Sequence, residues 1–201
     1  MKIVIINYGA GNIQSIMFAI ERLGFKAVLS NNPAEIQAAD KVIFPGVGEA
    51  SSAMLKLRES GLDSLIPQLK QPLLGICLGM QLMCKNNEEG NTVGMGIFDI
   101  NVKKFPAENI IPHMGWNTLD VRHDHALLAG IPTGVNGLHA YFVHSYHLAA
   151  KHRNDVIATT NYGGAMTAFV GRDNMAGAQF HPEKSQTLGL ALISNFLRWK
   201  P

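Results

Sequence analysis

Cysteine is almost absent. The 201-residue chain has two, Cys77 and Cys84, which excludes a small disulfide-stapled fold. Read as positions on one helix, they lie about 10 Å apart, beyond the roughly 7 Å reach of a disulfide, so both are expected as free thiols. Charge is scarce too. Only 16% of residues are Asp, Glu, Lys or Arg, the net charge is +2, and there is no Lys/Arg block, so no nucleic-acid partner is expected. No apolar run approaches the roughly 20 residues of a membrane span. The N-terminal "MKIVIINYG" is too short for a signal peptide, so a cytoplasmic protein with no membrane partner is the default reading. Repeats, low-complexity tracts and linkers are also lacking. What remains is a chain with 47% hydrophobic residues, long enough to bury one full core, read as a single domain over residues 1–201.

The first half alternates. "KIVIIN" reads as a buried strand, and Ile13, Ile16, Met17, Ile20 and Leu23 have helical spacing, with Gly24 as a stop. "KAVLS" predicts a second strand, "PAEIQAA" a short helix opened by Pro33, and "KVIFPG" a third strand. Residues 49–60 predict a helix, "PLLGIC" a fourth strand, and residues 79–86 another helix. Such alternation predicts an α/β fold with a mostly parallel central sheet flanked by helices. From about residue 93 the texture changes to short strands, predicting extra antiparallel strands in the C-terminal half. The chain ends in a helix that Ser185 is expected to cap, with Leu188, Leu192, Phe196 and Trp199 on one buried stripe.

"GICLGMQLM", Gly75 to Met83, puts a cysteine between two glycines where a strand turns into a helix. This has the form of a nucleophile elbow with Cys in place of Ser. The sharp turn leaves no room for side chains two residues either side, and the helix N-terminus favours a thiolate. A buried, inert cysteine is the alternative from this motif alone. A cysteine nucleophile needs a base and the base an orienter. In "QFHPEKS", Glu183 lies two residues beyond His181, so an extended backbone places both on one face. His123 and His125 read as a solvated turn. His144 and His147, three apart in a strand, point to opposite faces, which does not suit zinc, and no metal or cofactor is expected. An oxyanion hole is assigned to the Leu78 N–H and the "PGVG" loop, through Val47 and Gly48. A plain strand-to-helix turn is the alternative for that loop. The residues alone thus reach a cysteine hydrolase or acyl transferase on an α/β sheet.

"GICLGMQ", followed about a hundred residues later by "FHPE", resembles the class I glutamine amidotransferases of the triad type, over the whole chain. The resemblance implies that Cys77 attacks the glutamine side-chain amide, His181 is the acid and base, and Glu183 orients it. A glutamyl thioester and ammonia form first, and water then releases glutamate. Gln81, Glu89 and the Ser145–Tyr146 backbone match positions that hold the substrate's amino-acid end, and Gly46 is grouped with them. "NYGAGN", "PGVGEA", "PHMGWN" and "YFVHSYH" are further similar to the glutaminase subunits of imidazole glycerol phosphate synthases, with His147 departing from an aromatic often found there. That implies a heterodimer with a (β/α)8-barrel synthase (cyclase) subunit, which takes the ammonia. It would make imidazole glycerol phosphate and aminoimidazole carboxamide ribotide in histidine biosynthesis. Asn12, Trp116 and Lys184 are expected on the docking face. A core tryptophan and a plain solvated lysine are the alternatives for the last two. A hydrolase of another kind on the same elbow, and a degenerate scaffold, are the competing functional readings.

Overall fold

The computed structural model describes residues 1–150 and 154–201. The predicted alternation is present: β1 (Ile3–Ile6), α1 (Ile13–Arg22), β2 (Ala27–Ser30), α2 (Pro33–Gln37), β3 (Lys41–Phe44), α3 (Ala50–Glu59), α4 (Leu62–Leu65), β4 (Leu73–Ile76) and α5 (Leu78–Leu82). Then come β5 (Cys84–Asn87), β6 (Thr92–Val93), β7 (Phe98–Lys104), β8 (His113–Thr118), β9 (Asp120–Val121), β10 (His139–His144) and β11 (Tyr146–Ala149). The chain closes with β12 (Val156–Asn161), β13 (Ala165–Arg172), β14 (Met175–Ala178) and α6 (Gln186–Arg198).

Eight strands form the central sheet in the order β2-β1-β3-β4-β14-β13-β12-β9. β2, β1, β3, β4 and β14 run parallel, and β13, β12 and β9 continue antiparallel. β1, β3 and β4 are buried on both faces, which explains their unbroken apolar runs. The period of two sorts their side chains. Ile3, Ile5, Ile43, Leu74 and Ile76 enter the core under α1 and α6, while Val4, Ile6, Val42, Phe44 and Leu73 enter the opposite core under α2, α3 and α5. The predicted stripe of α6 is buried as read, and each such fully buried Leu or Phe contributes roughly 1.5–3 kcal/mol.

Two local expectations are corrected. Residues 79–86 are not one helix: α5 stops at Leu82 and β5 begins at Cys84. There Cys84 pairs with Phe98, and Asn86 and Asn87 pair with Val93 and Thr92, so tertiary pairing overrides a short helical pattern. Both cysteines are nonetheless free thiols, and burial pushes the Cys84 thiol up. Ser185 stands at the start of α6 but makes no side-chain cap. Its hydroxyl donates to the His181 carbonyl at 2.7 Å and accepts from the Tyr141 N–H at 2.9 Å.

Candidate active site

Three adjacent parallel strands, β3, β4 and β14, end side by side, and each delivers part of one site. Ligands in open α/β sheets gather at such carboxyl ends. The Cys77 N–H bonds the Ala178 carbonyl at 2.8 Å, so the cysteine is still tied to the sheet as the chain turns into α5. Its φ of 52° and ψ of −112° lie in a region that side chains rarely adopt, worth about 1–3 kcal/mol of strain. The flanking glycines are steric necessities, as the elbow reading required. A Cβ on Gly79 would lie 2.0 Å from the Phe44 carbonyl oxygen, and one on Gly75 would lie 2.9 Å from the Met80 Cα. The helix-dipole part of that reading weakens, because α5 is only five residues long.

Beyond β14 the chain carries His181 into the site. Its N–H bonds the Tyr141 carbonyl at 2.9 Å, and Ser185 holds its own carbonyl. The ring Nδ1 is 2.7 Å from Oε1 of Glu183, with Pro182 between them in a 3₁₀ turn, Pro182–Lys184. Burial by itself would lower the His181 pKa. Contact with Cys77 and Glu183 outweighs it and raises the value to about 10. Gln179, on the same segment, donates to the Cys77 sulfur at 3.8 Å.

A cavity of about 310 Å³ opens over the sulfur, lined by Val47, Gly48, Cys77, Leu78, Gln81, Glu89, Pro112, Val143, His144, Ser145, Tyr146, His181 and Lys184. That is the lower end of the size range for a small-molecule site. A larger cavity of about 640 Å³, lined among others by Lys103, Arg122 and His147, shares no residue with it and has no cysteine among the described residues of its wall. The smaller one is therefore the candidate site.

The expected oxyanion residues Val47, Gly48 and Leu78 and the expected substrate residues Gln81, Glu89, Ser145 and Tyr146 all line this cavity. Gln81 Nε2 donates to the Tyr146 carbonyl at 2.9 Å and to Gln179 Oε1 at 3.1 Å. Glu89 accepts from the Ala50 N–H at 2.9 Å, while burial raises its pKa. Gly46, grouped with the substrate residues, does not line the cavity itself; it packs against α5, where a Cβ would lie 2.4 Å from the Gly79 nitrogen. Its lack of a side chain serves close packing, leaving Gly48, with φ of 99° and open space around it, as the loop's free glycine.

The remaining candidates separate. Lys184 is at the cavity rim, with Nζ 5.9 Å from the Tyr141 ring. Trp116 is not in the core: it is 45% exposed on β8 and its ring lies 5.3 Å from Tyr141. Asn12 opens α1, which packs on the Pro182–Lys184 turn. His144 and His147 do face different cavities, as their spacing suggested. His123 is exposed, as read, whereas His125 is only half-exposed. It accepts from the Leu127 N–H at 3.2 Å and packs on Phe169 and Trp199. Sequence reasoning did not place His144, Pro112, Val143 or Gln179 in the site. Only Gln179, two residues before His181, carried a signal.

The class-I glutamine amidotransferase family model matches residues 4–199. The imidazole glycerol phosphate synthase subunit HisH of Agrobacterium fabrum is 55% identical, covering 100% of both chains. That of Rhizobium meliloti is 48% identical, again over 100% of both. The solved structure of a glutamine amidotransferase superimposes with a TM-score of 0.74 at 19% identity, covering 97% of each chain, which speaks to the fold alone. An elbow cysteine facing a carboxylate-tied histidine, on this sheet and with these relatives, leads to one assignment: the chain belongs to the class-I glutamine amidotransferases and, within them, to the HisH family.

Proposed function

We propose that this chain is the glutaminase subunit of an imidazole glycerol phosphate synthase, working as a single domain. The observation that carries the reading is the Cys77–His181–Glu183 arrangement at a cavity whose wall offers both donors and a carboxylate. Cys77 Sγ gives its proton to His181, which it contacts, and attacks the side-chain amide carbon of glutamine. The developing oxyanion is met by the Leu78 N–H and the Val47–Gly48 peptide. His181, oriented through Nδ1 by Glu183, gives a proton to the departing nitrogen, and ammonia leaves. His181 then takes a proton from water as it attacks the thioester, and returns it to Cys77 Sγ as the C–S bond breaks and glutamate is released. Gln81, Glu89, Ser145 and Tyr146 hold the amino-acid end. Each uses a group that the cavity already presents: amide, carboxylate and strand backbone.

Ammonia set free in water would be protonated and diluted, so the reading needs an acceptor seated over the cavity mouth. The relatives are named as synthase subunits, which supports a partner. We take that partner to be a (β/α)8-barrel synthase subunit in a heterodimer, both in the cytoplasm. Met114 and Trp116, two residues apart on one face of β8, are 63% and 45% exposed, and with Lys184 and Asn12 they form the proposed docking face. Among the described residues no helix is long and apolar enough to cross a membrane. The test is glutamate release from glutamine by the chain alone and with the barrel subunit. Absence of release in both would overturn the proposal.

A further inference from the structure

His113 and His144 face each other across the β8–β10 pair, buried, and the steps above use neither. His144 lines the Cys77 cavity. Nδ1 of His144 is 2.8 Å from the Tyr146 carbonyl oxygen, and its Nε2 is 3.2 Å from Nδ1 of His113. Nε2 of His113 is 2.9 Å from Oδ1 of Asn117. The Asn117 amide cannot turn round freely, because its Nδ2 donates to the Asn161 carbonyl at 3.0 Å. Both ends of this chain are therefore acceptors.

A neutral imidazole carries one N–H. Serving both terminal acceptors uses both protons and leaves two lone pairs facing each other across 3.2 Å. Putting a proton between the rings deprives one terminal acceptor. A third proton would satisfy every contact, but the surroundings oppose it. His113 stacks on Phe142 and Tyr162, and His144 packs on Phe105 and Phe142. Burial lowers His113 and pushes His144 down to about 3, and the other titratable groups facing His144, His147 and His181, only add to that. The pair thus has three contacts and two protons.

The surrendered contact has consequences at either end. The Tyr146 carbonyl also accepts from Gln81, which continues through Gln179 to the Cys77 sulfur. Asn117, at the other end and on the face of β8 opposite Trp116, also holds the Asn161 carbonyl at the end of β12. We propose that His113 and His144 are positioning residues forming a two-position proton switch between Asn117 at the far end of β8 and the glutamine-holding wall. In one position Nδ1–H of His144 holds the Tyr146 carbonyl and Nδ1–H of His113 donates to Nε2 of His144, leaving Oδ1 of Asn117 unserved. In the other, the proton between the rings has passed to Nε2 of His144, Nδ1 of His144 has released its proton to cavity solvent, and Nε2 of His113 has taken one from solvent and donates to Asn117. No proton is gained or lost overall. Glutamine selects the first position, because it needs the Tyr146 strand and Gln81 set. This switch rests on the glutaminase reading above.

The experiment uses the full chain with its barrel partner. Wild-type glutamine turnover is measured first: its absence would overturn the glutaminase reading. Nitrogen-15 NMR of labelled histidine then reads the His144 tautomer in Cys77→Ser, with and without L-glutamine. A shift toward Nδ1–H on adding glutamine is expected, and turnover with a glutamine-insensitive tautomer would overturn the switch alone. In kinetics, His144→Leu removes the donor, whereas His144→Asn keeps an N–H near Nδ1. Loss of one such bond should raise the glutamine KM about tenfold in His144→Leu with kcat within about threefold, and His144→Asn should stay within about threefold of wild type. An unchanged KM in His144→Leu, or equal damage in both variants, would overturn the proposal. If His144→Leu does not fold, His144→Gln, which lacks a donor at Nδ1, takes its place against His144→Asn.

Discussion

Nδ1 of His181 donates to Oε1 of Glu183 at 2.7 Å, and the carboxylate that receives it is wholly shielded from solvent. The second oxygen, Oε2, is buried without a hydrogen-bond partner among the described residues, so the carboxylate is committed to the imidazole. Two consequences concern pH and rate. Burial opposes the charged ring, but contact with Cys77 and Glu183 raises its pKa from 6.5 to about 10. A value raised on folding means that the protonated ring stabilises the fold. That contribution is full below about pH 6.5 and is lost as pH rises through about 10. The urea midpoint should therefore fall across this window in wild type and fall less in His181→Ala. Equal profiles would refute the coupling. In turnover, His181→Ala should cost far more than Glu183→Gln, because only the imidazole transfers protons. If His181→Ala forms and clears the thioester at the wild-type rate by mass spectrometry, another base is at work.

Cys77→Ala should abolish glutamine-dependent synthesis and leave ammonia-dependent synthesis by the complex intact. Retained glutamine activity would sink the nucleophile assignment. Cys84→Ala is a different perturbation. Its sulfur is buried on β5, 3.6 Å from the Met80 carbonyl oxygen, so the substitution should cost stability of about 1 kcal/mol and spare the chemistry.

Gly79→Ala should be among the most damaging single-methyl additions in the chain. Its Cβ meets the backbone of Phe44, which cannot step aside without moving β3. We expect a loss of roughly 1–3 kcal/mol or more, read as a shift in the thermal midpoint, together with displacement of Cys77. Gly46→Ala meets the same helix from the other side and should behave alike. A midpoint equal to wild type in either would contradict the packing.

The Val47–Gly48 peptide is the candidate for regulation. The isolated chain should be nearly idle, with this peptide turned to aim its N–H only when the liganded barrel docks. One such donor is worth about 2.7–4 kcal/mol, or 10²–10³ in rate. Glutamine hydrolysis by the free chain, by the complex, and by the complex with the synthase substrate measures this directly. Equal rates in all three would refute the switch. Large stimulation that survives Gly48→Val would remove this loop as its mechanism, since Gly48 holds φ of 99°, where a β-branched residue is strained.

Trp116→Ala should weaken the barrel complex by about 2 kcal/mol, or about thirtyfold in Kd, while the melting of the free chain barely changes. Its exposure makes that separation possible. Unchanged affinity by calorimetry would move the docking face elsewhere.

The parallel half of the sheet, the elbow and the pairing of His181 with Glu183 are legible in the order of the residues. Each rests on a short-range rule. Apolar runs mark β1, β3 and β4, glycine marks where no Cβ fits, and a spacing of two carries a side chain to the same face. That order also carried, through motif resemblance, the family that the comparisons then showed. The rest depends on contacts between distant segments. Cys84 left its helical pattern because β5 finds partners in β6 and β7, and nothing within a few residues of Cys84 encodes them. Ser185 gave up a capping role to clamp Tyr141 and His181, forty-four and four residues away. Gly46 packs against α5, an approach that the loop's own residues do not encode. His144 joined the site because β8 lies beside β10, thirty-one residues apart at the His113 contact. Local chemistry fixes which side chains are able to react, but long-range pairing chooses which of them meet, because the free energy of each meeting is spread over contacts that no window of sequence contains.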